Sequence, residues 1–212
     1  MSKAGDVFEN PITRERAVVR VGTEESDEAL VISDLYVGPG GRVAAEHVHP
    51  TMDEWFTVIS GRVGFRLDGR ESIAEIGQRL HVSPGTAHDW WNAGEEEAHV
   101  VVEVSPASRF EEAISTTFGL ARDGKTNARG MPNLLQLSLV AREYEDVLYF
   151  TNPPRIVQKV LFAVLAPVAR LLGYKGSHPE YGPSGFVEVA PWPHTTAMRA
   201  TRGTHQSEES RL

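Results

Sequence analysis

Two segments indicate the fold most clearly: GRVAAEHVHPTMDEWFTVISG, residues 41–61, and GQRLHVSPGTAHDWWN, residues 77–92. The first follows the spacing G-x5-H-x-H-x4-E-x6-G, and the second follows G-x5-S-x-G-x2-H-x3-N. Together they hold three histidines and one glutamate at fixed intervals, namely His47, His49, Glu54 and His88. Three imidazoles and one carboxylate form a donor set that suits a divalent transition metal.

Strand geometry explains how these residues could meet. His47 and His49 lie two residues apart, so on a strand both side chains point to the same face, roughly 6.6 Å apart. If Glu54 faces the interior of a barrel, it lies across from this pair, and His88 completes the set from a later strand. We therefore predict that these four side chains bind one metal ion, and Fe, Mn, Ni, Co, Cu and Zn all remain open.

The residues around the two motifs predict an all-β region. Turn sequences such as Gly38-Pro39-Gly40-Gly41 and Asp68-Gly69 separate short apolar runs. Many short strands at this spacing indicate an antiparallel sandwich or barrel. The predicted strands are residues 18–21, 30–37, 42–49, 54–60, 62–67, 78–82, 88–92 and 98–104.

After Pro106 the apolar residues recur at helical spacing. We predict one helix around 110–118 that stops at Asp123-Gly124, and a second from Pro132-Asn133 to about 147. A third runs from about 154 to 172, with a kink predicted at Pro167. This third helix is apolar almost all round, so we expect it to be buried or to lie at a contact between two copies. Its basic residues leave surface association with a membrane through 155–175 as a weaker alternative.

Composition narrows the class of protein. The chain has 212 residues, no cysteine and a formal net charge of -8. This charge argues against general nucleic-acid binding. No apolar segment reaches the roughly 18 residues that a membrane span needs. The charged N-terminus lacks a signal-peptide pattern. We therefore expect a cytoplasmic protein with a small-molecule ligand, no nucleic-acid partner and no membrane partner.

The two motifs resemble those of the cupin superfamily, in particular a metal-binding, quercetin-dioxygenase-like subgroup with a helical C-terminal tail. The resemblance covers residues 30–104, about a third of the chain, and departs from the family pattern at Ser83, where proline is usual. It implies a mainly β fold, the double-stranded β-helix or jelly-roll barrel, followed by an α-helical C-terminal segment. It also implies that His47, His49, Glu54 and His88 are the metal ligands, and that the protein is a homodimer.

On this basis the chain divides into three parts. We expect a cupin β-barrel with N-terminal strands at 1–105 (core 30–104), a helical extension at 106–176 and a loosely attached tail at 177–212.

Several aromatic and aliphatic side chains are predicted to form a pocket beside the metal. Phe56, Val58, Phe65 and Trp90 are the candidates for substrate binding, because strand parity turns them inward. They favour a hydrophobic or aromatic small molecule, whereas a filled barrel core with little free volume is the alternative. His99 is expected to point outward, and His81 is expected either to point outward or to lie next to the metal ligands.

The leading functional hypothesis is a dioxygenase-like, metal-dependent cupin in which Glu54 acts as the catalytic base. A redox-neutral isomerase, cyclase or decarboxylase is an alternative that uses the same metal as a Lewis acid. A non-catalytic protein that binds a metal and a small molecule is a further one.

Overall fold

The computed structural model describes residues 1–190, in which two antiparallel β-sheets face each other and helices follow. The strands are β1 (Asp6–Asn10), β2 (Glu15–Val21), β3 (Val31–Val37), β4 (His47–Val48), β5 (Asp53–Ser60), β6 (Val63–Leu67), β7 (Arg70–Ala74), β8 (Arg79–Val82), β9 (His88–Asn92), β10 (Ala98–Ser105), β11 (Tyr149–Phe150) and β12 (Gly185–Phe186). One sheet has the strand order β12-β1-β2-β3-β10-β5-β8, and the other has the order β11-β4-β9-β6-β7. The predicted mainly β fold, a jelly-roll barrel followed by helices, is therefore confirmed.

The core lies between the two sheets. Strand β10 contributes Val100 and Val102 from one sheet, and strand β6 contributes Val63 and Phe65 from the other. Phe56 packs against Phe65 across the gap, with ring centroids 5.2 Å apart. The alternation of apolar and polar residues thus turns one face of each strand toward the opposite sheet.

Two differences from the predicted strands have a physical cause. The predicted strand 42–49 is a strand only at His47–Val48, because Arg42 makes no more than an isolated bridge to Trp91 and the next three residues, 43–45, line a cavity. Strand β7 was not predicted, since four of its five side chains are exposed and it lacks an alternating apolar pattern.

The predicted helices are present. They are α2 (Phe110–Arg122), α3 (Leu134–Glu143) and α4 (Arg155–Leu171), and a single-turn helix α1 (Thr23–Ser26) precedes β3. Helix α3 begins at Asn133, whose side-chain oxygen accepts hydrogen bonds from the backbone N–H groups of Leu135 and Gln136. It ends four residues before the predicted position. Among the described residues, none of the helices has the length and apolar character that crossing a bilayer requires.

Helix α4 buries one face and leaves an apolar face exposed. Phe162, Ala166 and Ala169 are buried, and the two alanines belong to a cluster with Leu139 of α3. On the other side, Val164 is 66% exposed. The single chain therefore leaves part of a helix uncovered that was expected to be buried or to meet a partner. The exposed apolar residues are Ile156, Val157, Val160, Val164, Val168, Leu171 and Leu172.

The segment 177–187 is attached more firmly than its composition suggests. The ring of Tyr181 lies so close to Gly119 of α2 that a Cβ atom there would be 2.2 Å from the ring. Strand β12 pairs with β1, and the Ser184 hydroxyl donates a hydrogen bond to the Val7 carbonyl. These contacts differ from the expectation of a loose tail, whose remaining part, 191–212, lies outside the described residues.

Candidate metal centre

Four buried side chains from three strands and one loop converge between the sheets. His47 lies on β4 opposite His88 on β9, since the two are direct partners in the ladder. His49 follows β4 immediately, and Glu54 lies near the start of β5. Exposure is 7% for His47, 3% for His49, 4% for Glu54 and 0% for His88. Antiparallel pairing thus brings together residues that are up to 41 positions apart in the sequence.

The distances fit a single ion. One potential ligand atom from each side chain lies within 4.8 Å of those of the other three. The Glu54 Oε2 atom is 3.0 Å from His88 Nε2 and 3.5 Å from His49 Nε2. The arrangement is therefore compatible with a metal site formed by the four predicted residues.

Backbone carbonyl groups fix the orientation of each imidazole. The Nδ1 atom of His47 lies 3.0 Å from the Ala45 oxygen, that of His88 lies 3.1 Å from the Thr86 oxygen, and that of His49 lies 2.7 Å from the Val147 oxygen. A carbonyl oxygen can only accept a hydrogen bond, so each Nδ1 carries the proton. The Nε2 lone pairs are then left to face the centre, as in metal-ligating histidines.

Several atoms at the centre have no hydrogen-bond partner among the residues that the structure describes. They are Nε2 of His49, Nε2 of His88 and Oε2 of Glu54, all buried. Buried polar atoms are rarely left unpaired, because the loss of hydration costs about 1–3 kcal/mol each. With both Nδ1 atoms protonated, these three atoms offer lone pairs to one another, so only a cation or an added proton satisfies them together. The donor set therefore fits a divalent transition metal.

The electrostatics of the cluster hold Glu54 and His47 in ligand form, whereas at His88 burial acts to lower the pKa but the adjacent Glu54 carboxylate outweighs it and raises the pKa. Burial acts to raise the pKa of Glu54, but the neighbouring histidines outweigh it and lower the pKa to about 2. Burial and the adjacent His88 and His49 lower the pKa of His47 well below its ordinary value. An ionised carboxylate and a neutral imidazole are the protonation states that coordinate metals.

A cavity of about 190 Å³ opens beside the cluster, so the barrel is not completely filled. His47, His49 and Glu54 all contribute to its wall. Of the predicted substrate-binding residues, Phe56 and Trp90 line this cavity. Val58 and Phe65 do not, because both are 0% exposed in the core between the sheets.

Much of the cavity wall comes from outside the two motifs. Helix α2 contributes Phe110, Ile114 and Phe118, and helix α3 contributes Val140. The helical spacing of the apolar residues in α2 predicts that one face of this helix is buried. No other feature of the sequence indicated that these residues line a cavity. The Val147 carbonyl that orients His49 also belongs to the helical extension.

The histidines His81 and His99 lie away from the centre, as predicted for His99 and as one of the two alternatives for His81. His81 Nε2 is 2.6 Å from Asp53 Oδ1, and His99 Nε2 is 2.7 Å from Asp34 Oδ1. Neither belongs to the cluster of potential ligands.

Residues 34–104 match the family model described as "Cupin domain". This segment contains all four cluster residues and most of the barrel. The match is limited to this segment, which is similar to a cupin domain, and the quercetin-dioxygenase-like subgroup stays a prediction.

Two curated proteins are similar to part of the chain. Polyketide synthase CurC from Streptomyces cyaneus is 37% identical over 68 residues, which is 32% of this chain and 44% of that protein. Tetracenomycin polyketide synthase protein TcmJ from Streptomyces glaucescens is 33% identical over 75 residues, 35% of this chain and 50% of that protein. The chain thus spans about half the length of the curated relatives that it matches.

Among solved structures, an uncharacterized conserved protein with a double-stranded beta-helix domain from Klebsiella pneumoniae subsp. pneumoniae MGH 78578 is 25% identical. The alignment covers 50% of this chain and 83% of that one, with a TM-score of 0.38.

Proposed function

We propose that this chain is a metal-dependent cupin that acts on a small, largely apolar organic molecule. His47, His49, Glu54 and His88 would bind one divalent transition metal ion, and the adjacent cavity would hold the substrate. The observation that carries the proposal is the set of three buried ligand atoms, on His49, Glu54 and His88, that have no hydrogen-bond partner among residues 1–190, with His49 and Glu54 in the wall of an apolar cavity. We further propose a cytoplasmic location, in keeping with the absence of cysteine.

When bound, the metal would supply a Lewis acid that polarises a carbonyl or enol oxygen. Phe56 and Trp90 would hold the apolar body of the substrate, because both rings line the cavity. The apolar walls of α2 and α3 exclude water from the reacting groups. Glu54 is the ionised carboxylate of the cluster, and we assign it the role of accepting a proton from the substrate at the carboxylate oxygen that would not bind the metal.

Two classes of reaction would suit this site, and the names of the two curated relatives favour the redox-neutral class. Both curated relatives are named as polyketide synthase proteins. Substrates rich in carbonyl groups suit Lewis-acid isomerisation or cyclisation. The dioxygenase-like reaction predicted from the sequence is the second candidate, since an apolar cavity beside a three-histidine centre also suits an aromatic substrate and O2.

Metal binding is tested by elemental analysis of the purified full chain. We expect close to one metal ion per chain in the wild type and loss of most of it in His49→Ala. His81→Ala is the matched control, because His81 is a histidine outside the cluster, and it should keep its metal. Equal metal content in all three proteins would contradict the assignment.

The reaction class is tested with an oxygen electrode and mass spectrometry. The protein is loaded separately with each of the six candidate metals and mixed with quercetin or a polycyclic phenol. A product with the mass of the substrate, or lighter by one water, without O2 uptake supports the redox-neutral class. O2 uptake coupled to a heavier product supports the dioxygenase. No conversion with any metal favours the non-catalytic binding protein.

We also propose that the exposed apolar face of α4 is a contact between two copies of the chain. Val164→Asp introduces a charge at the middle of this face and should convert a dimer to a monomer in light-scattering measurements. Ile76→Asp is the control, since Ile76 is 68% exposed on another surface, against 66% for Val164. A monomeric wild type that floats with anionic liposomes would instead support membrane association through Arg155, Lys159, Arg170 and Lys175.

A further inference from the structure

A second polar group lies in the cavity, remote from the candidate metal centre. Asn10 on β1 and Glu15 on β2 are direct partners in the antiparallel ladder, so their side chains point to the same face. Asn10 is 4% exposed and Glu15 is 8% exposed. Both line the same cavity as His47, His49 and Glu54.

Several strands of the sheet lie between this second polar group and the candidate metal centre. In the strand order β1-β2-β3-β10-β5, Glu15 lies three strands away from Glu54. At about 4.8 Å per strand this separation is roughly 14 Å across the sheet. The two residues are also offset along the strands, because Glu15 is level with Ala98 of β10 through Val37, whereas Glu54 pairs with Val104. Between them the cavity wall is apolar, with Ala17 on β2, Leu35 on β3 and Val102 on β10. The cavity is therefore elongated, with one polar end at the candidate metal centre and the other at Asn10 and Glu15.

The remote end offers a hydrogen-bond donor that the protein leaves unused. The Asn10 side-chain oxygen accepts from the backbone N–H groups of Ile12 and Thr13. Its amide nitrogen makes no hydrogen bond to any residue in the described part of the chain, although Asn10 lines the cavity. An unpaired N–H group beside an apolar cavity is expected where a ligand accepts its hydrogen bond.

Protonation makes Glu15 a donor as well. Burial raises the pKa of its carboxyl to about 8, and the nearby Thr13 hydroxyl offsets this only in part. At neutral pH the neutral carboxylic acid therefore predominates, and its O–H can donate a hydrogen bond.

We propose that Asn10 and Glu15 form a second recognition site, where their N–H and O–H groups donate hydrogen bonds to an oxygen at the end of the substrate remote from the metal. The substrate class is then an elongated, mostly apolar molecule, such as a polycyclic aromatic, with a carbonyl or hydroxyl oxygen at each end. This inference rests on the proposed function, because the other end of the same molecule is held at the metal.

The test uses a pair of probes that differ only at the remote end. Alizarin is a three-ring aromatic with two neighbouring hydroxyls that can bind a metal, and flavopurpurin carries one more hydroxyl on its most distant ring. Affinities are measured by calorimetry on the zinc-loaded full chain, with zinc-free protein as reference. We expect wild type to prefer flavopurpurin by about tenfold, as two neutral hydrogen bonds would supply.

Variants assign this preference to the remote site. Glu15→Leu should bind both probes with similar affinity and leave the alizarin affinity within about threefold of wild type, whereas Glu15→Gln should keep the preference, because its amide still donates. Glu9→Gln is the matched control on the exposed side of β1 and should behave as wild type.

The outcomes separate the two proposals. Zinc-dependent binding of both probes without a preference, or a preference that Glu15→Leu retains, overturns the second recognition site while leaving the proposed function intact. Absence of zinc-dependent binding of either probe contradicts the proposed function and the second site with it.

Discussion

Replacing Glu15 by glutamine should stabilise the protein at neutral pH and leave it almost unchanged in acid. Burial raises the pKa of this carboxyl from an ordinary 4.5 to about 8 in the folded chain. Between these values the folded state keeps the proton that the unfolded state releases, so the free energy of unfolding falls as pH rises. Glutamine has nearly the same shape and carries no charge at any pH, and it therefore removes this loss.

The magnitude follows from the two pKa values. One pH unit corresponds to about 1.4 kcal/mol, and pH 7 lies 2.5 units above the ordinary value of 4.5, so wild type loses about 3 kcal/mol at pH 7 relative to strongly acidic solution. For a chain of this size, that loss corresponds to a difference in Tm of roughly 6–12 °C.

Urea unfolding between pH 4 and pH 8 measures the effect. The quantity to compare is the difference in unfolding free energy between Glu15→Gln and wild type at each pH, because contributions from all other titrating groups cancel in it. This difference should grow by about 3 kcal/mol from pH 4 to pH 7. The Glu9→Gln control, on the exposed side of β1, should give a difference that does not vary with pH. A flat profile for Glu15→Gln would show that the carboxyl titrates as in water, and the description of its surroundings would be wrong.

Three further outcomes are expected. Asn133→Ala removes the side-chain oxygen that caps α3 and should lower the unfolding free energy by about 1 kcal/mol in urea titrations, whereas Asn133→Asp should retain most of it. Gly119→Ala places a methyl group against the Tyr181 ring and should cost about 1–3 kcal/mol, with faster proteolysis after 177 as a second readout. Removing the metal with a chelator should lower the Tm, and restoring zinc to about a thousand times its dissociation constant should recover about 4 kcal/mol. An unchanged Tm would contradict a metal at the four-residue cluster.

The barrel and the four residues of the buried cluster could be predicted from the sequence, because both depend on the local spacing of residues. Side chains two apart on a strand share a face, and the motif spacing brings His47, His49, Glu54 and His88 to the same interior. The same rule could not predict which of the inward-pointing side chains reach the cavity. Phe56 and Val58 share a face, yet only Phe56 reaches the cavity, whereas Val58 lies in the core between the sheets.

The rest of the cavity depends on contacts between distant parts of the chain. The carbonyl of Val147 orients His49 across 98 positions of sequence, and no local pattern predicts that pairing. The burial of Glu15 could not be predicted either, because a glutamate on a strand is ordinarily exposed to solvent. Its inward position depends on how β1 and β2 extend the sheet beneath α2, which only the assembled fold shows.

The wall of the cavity and the candidate metal centre come from different parts of the chain. Residues 34–104, the part that aligns with the cupin domain, contain all four residues of the buried cluster. Asn10, Glu15 and the helices α2 and α3, which line the cavity, lie outside that segment. Substitutions in these flanking strands and helices would therefore reshape much of the cavity wall while the four cluster residues stay the same.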